Sequence, residues 1–142
     1  MSEQENIRVV KEDYAAFGRG DIESILSSLT PTVEWVLPGP SEIPTAGRFK
    51  GVVAVAEWFE TLAATEETLE FAPKQFFAGG DTVVVLGHYR ARIKSTGLVT
   101  DFDWVHVFTM KDGKVAKWEE FFDTALVAPN YSTPERSETG VV

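Results

Sequence analysis

Residues 82–110 read TVVVLGHYRARIK, then STG, then LVTDFDWVHVFTM, and this stretch decides the fold. Apolar and polar residues alternate along both long segments, which is typical of β-strands with one buried face. Ser95-Thr96-Gly97 between them is a turn signal, so the sequence predicts an antiparallel hairpin here.

The segments around this hairpin predict an α+β fold. Further strands are expected at 69–78 and 114–122, and a short one at 33–37. Helical spacing of apolar residues predicts three N-terminal helices, at 3–17, from Asp21 to Pro31, and at 52–65. Helices followed by hairpins favour three helices packed on a curved, mostly antiparallel sheet that encloses a pocket. We expect one domain over residues 1–128 and a polar tail over 129–142.

Composition excludes several classes of protein. The chain has 142 residues, no Cys and a net charge of −9. The lack of Cys excludes a disulfide scaffold, a thiolate metal site and a cysteine nucleophile, and the negative charge disfavours nucleic acid as a partner. Neither a basic leader with an apolar core nor a run of about 18 apolar residues is present, so we predict a cytoplasmic protein without membrane contact.

Alternation along the central hairpin predicts its inner face and its register. Val83, Val85, Gly87, Tyr89, Ala91 and Ile93 share a uniformly apolar face, which we expect to point inward. A four-residue loop over 95–98 sets Arg92 against Asp101 and Arg90 against Asp103 on the outer face. The same loop sets Tyr89 against Trp104 and Gly87 against His106, which leaves open space above the imidazole.

The last hairpin allows two registers. A two-residue turn at Asp112-Gly113 points Lys117, Glu119 and Phe121 inward. A three-residue turn with Gly113 in a bulge points Trp118, Glu120 and Phe122 inward, and we prefer it because it buries two aromatic rings and one acid. In that register His106 and Glu120 are diagonal neighbours on the inner face.

His106, Glu120 and Tyr14 are the candidate catalytic residues. Burial among aromatic rings disfavours the charged forms of His106 and Glu120, which suits proton transfer near neutral pH, and Tyr14 can donate to a substrate carbonyl. The competing interpretation is a hydrogen-bonded core histidine with a salt-bridged glutamate and a core tyrosine. Two His without a ligand spacing predict no metal site, and no cofactor motif is present. The expected substrate-binding walls are Trp35, Trp58, Phe59, Tyr89, Phe102, Trp104, Trp118 and Phe122.

Several short stretches together resemble a known family. They are Tyr14-Ala15-Ala16-Phe17 with Gly20-Asp21, Val33-Glu34-Trp35 with Pro38-Gly39, Gly51, His106-Val107-Phe108, Asp112-Gly113-Lys114, and Trp118 through Asp123. The chain resembles the SnoaL-like, ketosteroid-isomerase-related branch of the nuclear transport factor 2-like superfamily over residues 6–125. The resemblance implies a cone-shaped, barrel-like α+β fold, a deep apolar pocket, frequent dimers and usually no cofactor.

The resemblance also implies roles for single residues. Tyr14 falls where the steroid isomerases carry an oxyanion-hole tyrosine, and His106 falls at or beside their protonated aspartic acid. Their general base aligns near Trp35, which argues against the standard isomerase mechanism. Glu120 matches an acidic position of limonene-epoxide-hydrolase-like members, whose arginine and second aspartate fall at Gly87 and Tyr89.

The functional expectation is a cofactor-independent enzyme. It would isomerise, cyclise, dehydrate or hydrolyse an apolar, carbonyl-bearing small molecule by acid–base chemistry. The alternative is a non-catalytic small-ligand-binding module or a dimerisation domain of the same fold. An apolar outer patch of Val84, Leu86, Val105 and Val107 predicts a homodimer through the outer sheet face.

Overall fold

The structure is a computed structural model that describes residues 2–132. Its helices and strands follow the chain in this order: α1 (Glu3–Gly18), α2 (Ile22–Ser27), β1 (Leu29–Leu37), β2 (Gly47–Lys50), α3 (Val52–Thr65), β3 (Glu66–Gly79), β4 (Thr82–Ile93), β5 (Val99–Lys111), β6 (Lys114–Phe122), α4 (Thr124–Val127) and a 3₁₀ helix (Ala128–Tyr131).

The six strands form one open sheet in the order β2-β1-β6-β5-β4-β3. Every neighbouring pair is antiparallel except β1 and β6, which run parallel. Helices α1 and α3 pack against the sheet, and the buried core lies between them and its inner face. The predicted α+β fold with three N-terminal helices on a mostly antiparallel sheet is confirmed. No helix within residues 2–132 is long and apolar enough to cross a bilayer.

Helix boundaries depend on caps and on the strands that follow. The predicted capping box is present, since the Ser2 hydroxyl accepts from the Glu5 amide at 3.0 Å and the Glu5 carboxylate accepts from the Ser2 amide at 2.9 Å. Helix α2 ends at Ser27 rather than at Pro31, because β1 already begins at Leu29 and pairs there with Val115. Strand β2 lies partly in a segment predicted to be a loop.

The predicted register of the central hairpin is wrong by two residues. The Ile93 amide donates to the Leu98 carbonyl at 2.8 Å, so the four-residue loop is 94–97, with Gly97 in the left-handed region at φ 76°. Gly87 therefore faces Trp104, and Tyr89 faces Phe102. The two faces keep their predicted residues, because a shift of two positions preserves the alternation.

The outer charge pairs change with that register. Arg90 lies opposite Asp101 instead of Asp103, with a nitrogen-to-oxygen distance of 3.7 Å. Asp103 lies opposite His88. Arg92 faces Val99 across the hairpin and forms its ion pair with Glu67 of β3 at 3.5 Å.

The last hairpin combines features of both predicted registers. Its turn is the two-residue Asp112-Gly113 form, with both residues at positive φ, and an extra residue in β6 makes a bulge opposite Thr109 and Met110. Beyond the bulge Trp118 and Glu120 face inward, as predicted. His106 lies directly opposite Glu120 rather than diagonal to it.

The first residues of the predicted tail take part in the fold. Ala128–Tyr131 forms the 3₁₀ helix, and the Tyr131 hydroxyl donates to Glu66 at 2.7 Å. The Thr96 hydroxyl donates to the Asn130 carbonyl at 2.8 Å. Residues 133–142 lie outside the described residues, so the tail stays a prediction there.

Candidate active site

A cavity lies between the helices and the inner face of the sheet. Its enclosed volume is about 90 Å³, the space including its open mouth is about 560 Å³, and its walls are almost entirely apolar. Five predicted wall residues line it, namely Trp35, Trp58, Phe59, Tyr89 and Trp118. The other lining residues are Asp13, Tyr14, Phe17, Ile25, Leu62, Phe71, His106 and Phe108.

Three predicted wall residues lie on the inner face but outside the lining of this cavity. Phe102 and Phe122 stack on each other with ring centroids 4.9 Å apart. Trp104 stacks on the His106 ring at 3.8 Å. The expected open space above the imidazole is therefore wrong: the indole of Trp104 fills the room that Gly87 leaves, and a Cβ built on Gly87 would lie 2.2 Å from it.

A chain of hydrogen bonds leads from the cavity into the sheet. The Tyr14 hydroxyl lies 2.9 Å from His106 Nδ1, and His106 Nε2 lies 3.2 Å from a Glu120 carboxyl oxygen. An ionised Glu120 can only accept, so Nε2 then carries the ring proton and Nδ1 accepts the Tyr14 proton. Tyr14 and His106 line the cavity, whereas Glu120 lies behind them.

Burial keeps the cavity end of this chain neutral. It lowers the pKa of His106, although the Glu120 carboxylate acts in the opposite direction. Burial, then the negative charge of Glu120, holds the pKa of Tyr14 well above its usual value. A neutral imidazole next to a neutral phenol is able to pass protons without holding a net charge in the apolar cavity.

Sequence reasoning missed a carboxyl group in the lining. Asp13 lines the cavity, and its carboxyl oxygen lies 2.7 Å from the Ser28 hydroxyl. Burial raises the pKa of Asp13 to about 7 against the effect of that hydrogen bond, and Glu12 raises it slightly further. A signal was present, since Asp13 lies three residues after Val10 and four before Phe17, which is the spacing of the buried helix face.

Another carboxylate, Glu66, lies behind the lining residue Tyr89. Its two oxygens accept hydrogen bonds from the Tyr89 and Tyr131 hydroxyls, each at 2.7 Å. Burial raises the pKa of Glu66, while the two tyrosine hydrogen bonds act to lower it. Within residues 2–132 no group of three His, Cys, Asp or Glu side chains is arranged to hold a metal ion.

The family of the chain follows from comparison with known proteins. Residues 10–118 match the model of the SnoaL-like domain. The chain belongs to the SnoaL-like family. Its described fold agrees with that assignment, since the sheet is open and the helices precede the hairpins.

Relatives of this SnoaL-like chain include solved structures and an uncharacterized protein. A nuclear transport factor 2-like protein from Burkholderia xenovorans is 35% identical, with a TM-score of 0.85, over 92% of this chain and 98% of that one. TerC, crystallised with polyporic acid, is 32% identical, with a TM-score of 0.80, over 90% and 98%. An uncharacterized protein of Mycobacterium tuberculosis is 28% identical over 86% of this chain and 92% of its own length.

Proposed function

We propose that this SnoaL-like protein is an enzyme that moves protons on an apolar, carbonyl-bearing small molecule bound in the cavity. The observation that carries the proposal is the hydrogen-bond chain from Tyr14 through His106 to Glu120, which begins in an apolar cavity. Such a chain offers the substrate a proton acceptor, the phenol oxygen of Tyr14. It also lets a proton move on to Glu120, which the substrate does not contact.

The chain acts as a base when Glu120 is ionised. The Tyr14 oxygen takes a proton from the substrate while its own proton passes to His106 Nδ1, and the proton on Nε2 passes to Glu120. The C–H electron pair of the substrate moves into the carbon skeleton and the carbonyl becomes an enolate. Each of the three groups ends neutral, so no charge remains on protein groups that border the apolar cavity.

The same chain acts as an acid after that step. Nδ1 now carries a proton and donates to Tyr14, whose own proton is free to point at the substrate. Returning a proton at another carbon of the substrate gives isomerisation, and returning it to a leaving oxygen gives dehydration. Both belong to the reaction classes that the sequence predicts.

The occupant of the cavity is an organic small molecule in this proposal. TerC, at 32% identity, was co-crystallised with polyporic acid, which supports a small organic ligand for the same fold. The aromatic lining supports a flat apolar body, because Trp35 stacks on Trp118 at 4.4 Å and Trp58 meets Trp118 edge-on at 5.4 Å.

Deuterium exchange tests the proposal with simple ketones in place of the natural substrate. Apolar ketones such as 2-tetralone and 2-decanone are incubated with the protein in D2O, and loss of the α-proton signal is followed by NMR. We expect exchange above the buffer rate that falls at least 100-fold in Tyr14→Phe and Glu120→Gln. His88→Asn, on the outer face, is the matched control and should exchange like the wild type. Binding of the ketones without any exchange would instead favour the non-catalytic binding module.

We also propose that two copies of the chain pair through the outer face. An apolar patch crosses four strands, since Phe77, Val84 and Val107 form one row and Leu86, Val105 and Phe121 form the next. Phe77 is 52% exposed and Phe121 is 49% exposed.

Light scattering after size exclusion tests the pairing. The wild type should have twice the mass of the chain, and Leu86→Glu should have the mass of one chain with unchanged circular dichroism. Val53→Glu, at a position 74% exposed on α3, is the control and should remain paired. A wild type that runs as a single chain at every concentration would contradict the proposal.

A further inference from the structure

We propose that the Asp13 carboxyl binds the carbonyl oxygen of the substrate and donates a hydrogen bond to it while Tyr14 takes the α-proton. The inference deepens the proposed function and rests on it. It adds Asp13 to the proposed catalytic residues and narrows the substrate to a ketone or enone whose carbonyl and acidic C–H are adjacent.

One carboxyl oxygen of Asp13 has a hydrogen-bond partner in the protein, and the other is available to a substrate. The Ser28 hydroxyl lies 2.7 Å from Asp13 Oδ2 and 2.7 Å from the Ile25 carbonyl oxygen, so Oδ2 has a hydrogen-bond partner whichever way the Ser28 proton points. No residue between 2 and 132 forms a hydrogen bond with the other oxygen of Asp13. That second oxygen is available to a substrate, and a neutral carboxyl group with its proton there needs an acceptor, which a carbonyl supplies.

The surroundings of Asp13 favour the neutral carboxyl group. The titratable groups that share the cavity lining are Tyr14 from the same helix and Tyr89 and His106 from the sheet, and none of them is cationic by preference. Helix α2 contributes Ile25 to the lining, Ser28 at its C-terminus contacts Asp13, and α3 contributes only apolar side chains to the lining. Burial in these surroundings raises the pKa of Asp13 to about 7, and the negative charge of Glu12 on the same helix acts in the same direction.

The relay needs such a donor. While Tyr14 gives its proton to His106, it has none to offer the carbonyl oxygen, yet negative charge develops on that oxygen as the C–H bond breaks. Preorganised donors at a developing oxyanion contribute strongly to catalysis. Asp13 and Tyr14 both line the cavity, so one substrate molecule bound there is able to contact both.

The step balances with these groups alone. The α C–H bond breaks, its proton joins the Tyr14 oxygen, and the Tyr14 and Nε2 protons each move one place toward Glu120. The electron pair forms the C=C bond of the enolate, whose oxygen accepts the hydrogen bond of Asp13.

Binding of a ketone and its matched hydrocarbon tests the role of Asp13. Equilibrium dialysis measures 2-acetylnaphthalene and 2-ethylnaphthalene between pH 5.5 and 8.5. In the wild type we expect ketone affinity to fall about tenfold as Asp13 ionises over this range, which follows from the charged form losing its donor. Hydrocarbon affinity should not change with pH. Asp13→Asn should keep ketone binding and lose its pH dependence, whereas Glu12→Gln should keep the pH dependence with its midpoint moved slightly to lower pH.

A measurement without any variant guards against misfolding of Asp13→Asn. The carbon-13 signal of the Asp13 carboxyl group is titrated with and without 2-acetylnaphthalene, and the ketone should raise its pKa. Equal pH dependence of ketone and hydrocarbon binding, or an unmoved Asp13 titration, overturns the inference. The proposed function fails separately, since it predicts deuterium exchange that Tyr14→Phe removes while the pH-dependent binding persists.

Discussion

The two histidines of the chain lie on neighbouring strands and on opposite faces of one sheet. On the outer face both nitrogens of His88 meet carboxylates, with Nδ1 2.7 Å from Asp103 and Nε2 paired with Asp101. The hydrogen bond with Asp103 comes first among the causes that raise the pKa of His88. On the inner face His106 has one carboxylate and one phenol as partners, and burial lowers its pKa.

The difference shows that a carboxylate neighbour does not by itself make a histidine charged. His106 is 4% exposed and stacked on Trp104, so removal from water outweighs the attraction of Glu120. His88 keeps contact with water and gains two carboxylates. The outer face of the sheet therefore favours the charged form of its histidine, and the inner face favours the neutral form.

Crowding the inner histidine should have the largest effect. Gly87→Ala places a methyl group where the Trp104 indole lies and pushes it toward His106, so we expect the free energy of unfolding to fall by about 3 kcal/mol. Urea unfolding measures it. Gly79→Ala is the matched control, because a Cβ there meets nothing within 4 Å, and its effect should stay below about 1 kcal/mol. Equal effects of the two changes would show that Gly87 is not packed as described.

Removing one carboxylate from each histidine should have unequal effects. Glu120→Ala leaves Nε2–H of a buried ring without an acceptor, which we expect to cost about 2 kcal/mol of unfolding free energy. Asp103→Ala leaves a ring that water reaches, so its effect should be clearly smaller. The same urea series measures both, and a reversed order would contradict the burial of the His106–Glu120 pair.

The two rings should titrate on opposite sides of pH 6.5. Proton NMR should show His106 titrating below this value and His88 above it. Because the folded pKa of His106 is depressed, its contribution to stability is full above pH 6.5 and is lost as the pH falls through the folded value. For His88 the sign reverses, and its contribution is lost as the pH rises through the folded value. His88→Asn identifies the upper transition.

The smallest effect should come from neutralising one outer partner. Asp103→Asn keeps a hydrogen-bond acceptor beside His88 and removes one charge, so the pKa of His88 should fall while that of His106 stays unchanged. A shift of the His106 titration in this variant would show that the two faces are coupled electrically across the sheet.

Much of this arrangement could be predicted from the sequence, and the exceptions have physical causes. Alternation assigns Tyr89, Trp104 and His106 to the inner face correctly. A pattern of period two cannot, however, detect a shift of the strand register by two residues. The loop decides that shift through the left-handed Gly97. The bulge in β6 has no local sequence signal, yet it makes His106 and Glu120 direct partners.

Other features were not predicted because the residue type is unusual for its position in the structure. From the sequence no role is assigned to Asp13, because an acidic residue in a helix normally marks the exposed face. Its spacing from Phe17, however, is that of the buried face. Strand β2 escapes because three of its four residues are exposed and show no alternation. The sequence predicts that Pro31 ends a helix, whereas Pro31 lies within β1, at an irregular part of its pairing with β6. Strand β1 therefore begins earlier than predicted.

The parallel pairing of β1 with β6 has a consequence for folding during synthesis. Trp35 of β1 finds its stacking partner, Trp118, only in the last strand, and β1 lies between β2 and β6 in the sheet. As the chain leaves the ribosome, β1 and β2 can form only a two-stranded unit, which is marginal in water by itself. The cavity therefore gains both of its stacked tryptophan walls only after nearly the whole domain has been made, and no N-terminal fragment ending before β6 can contain it.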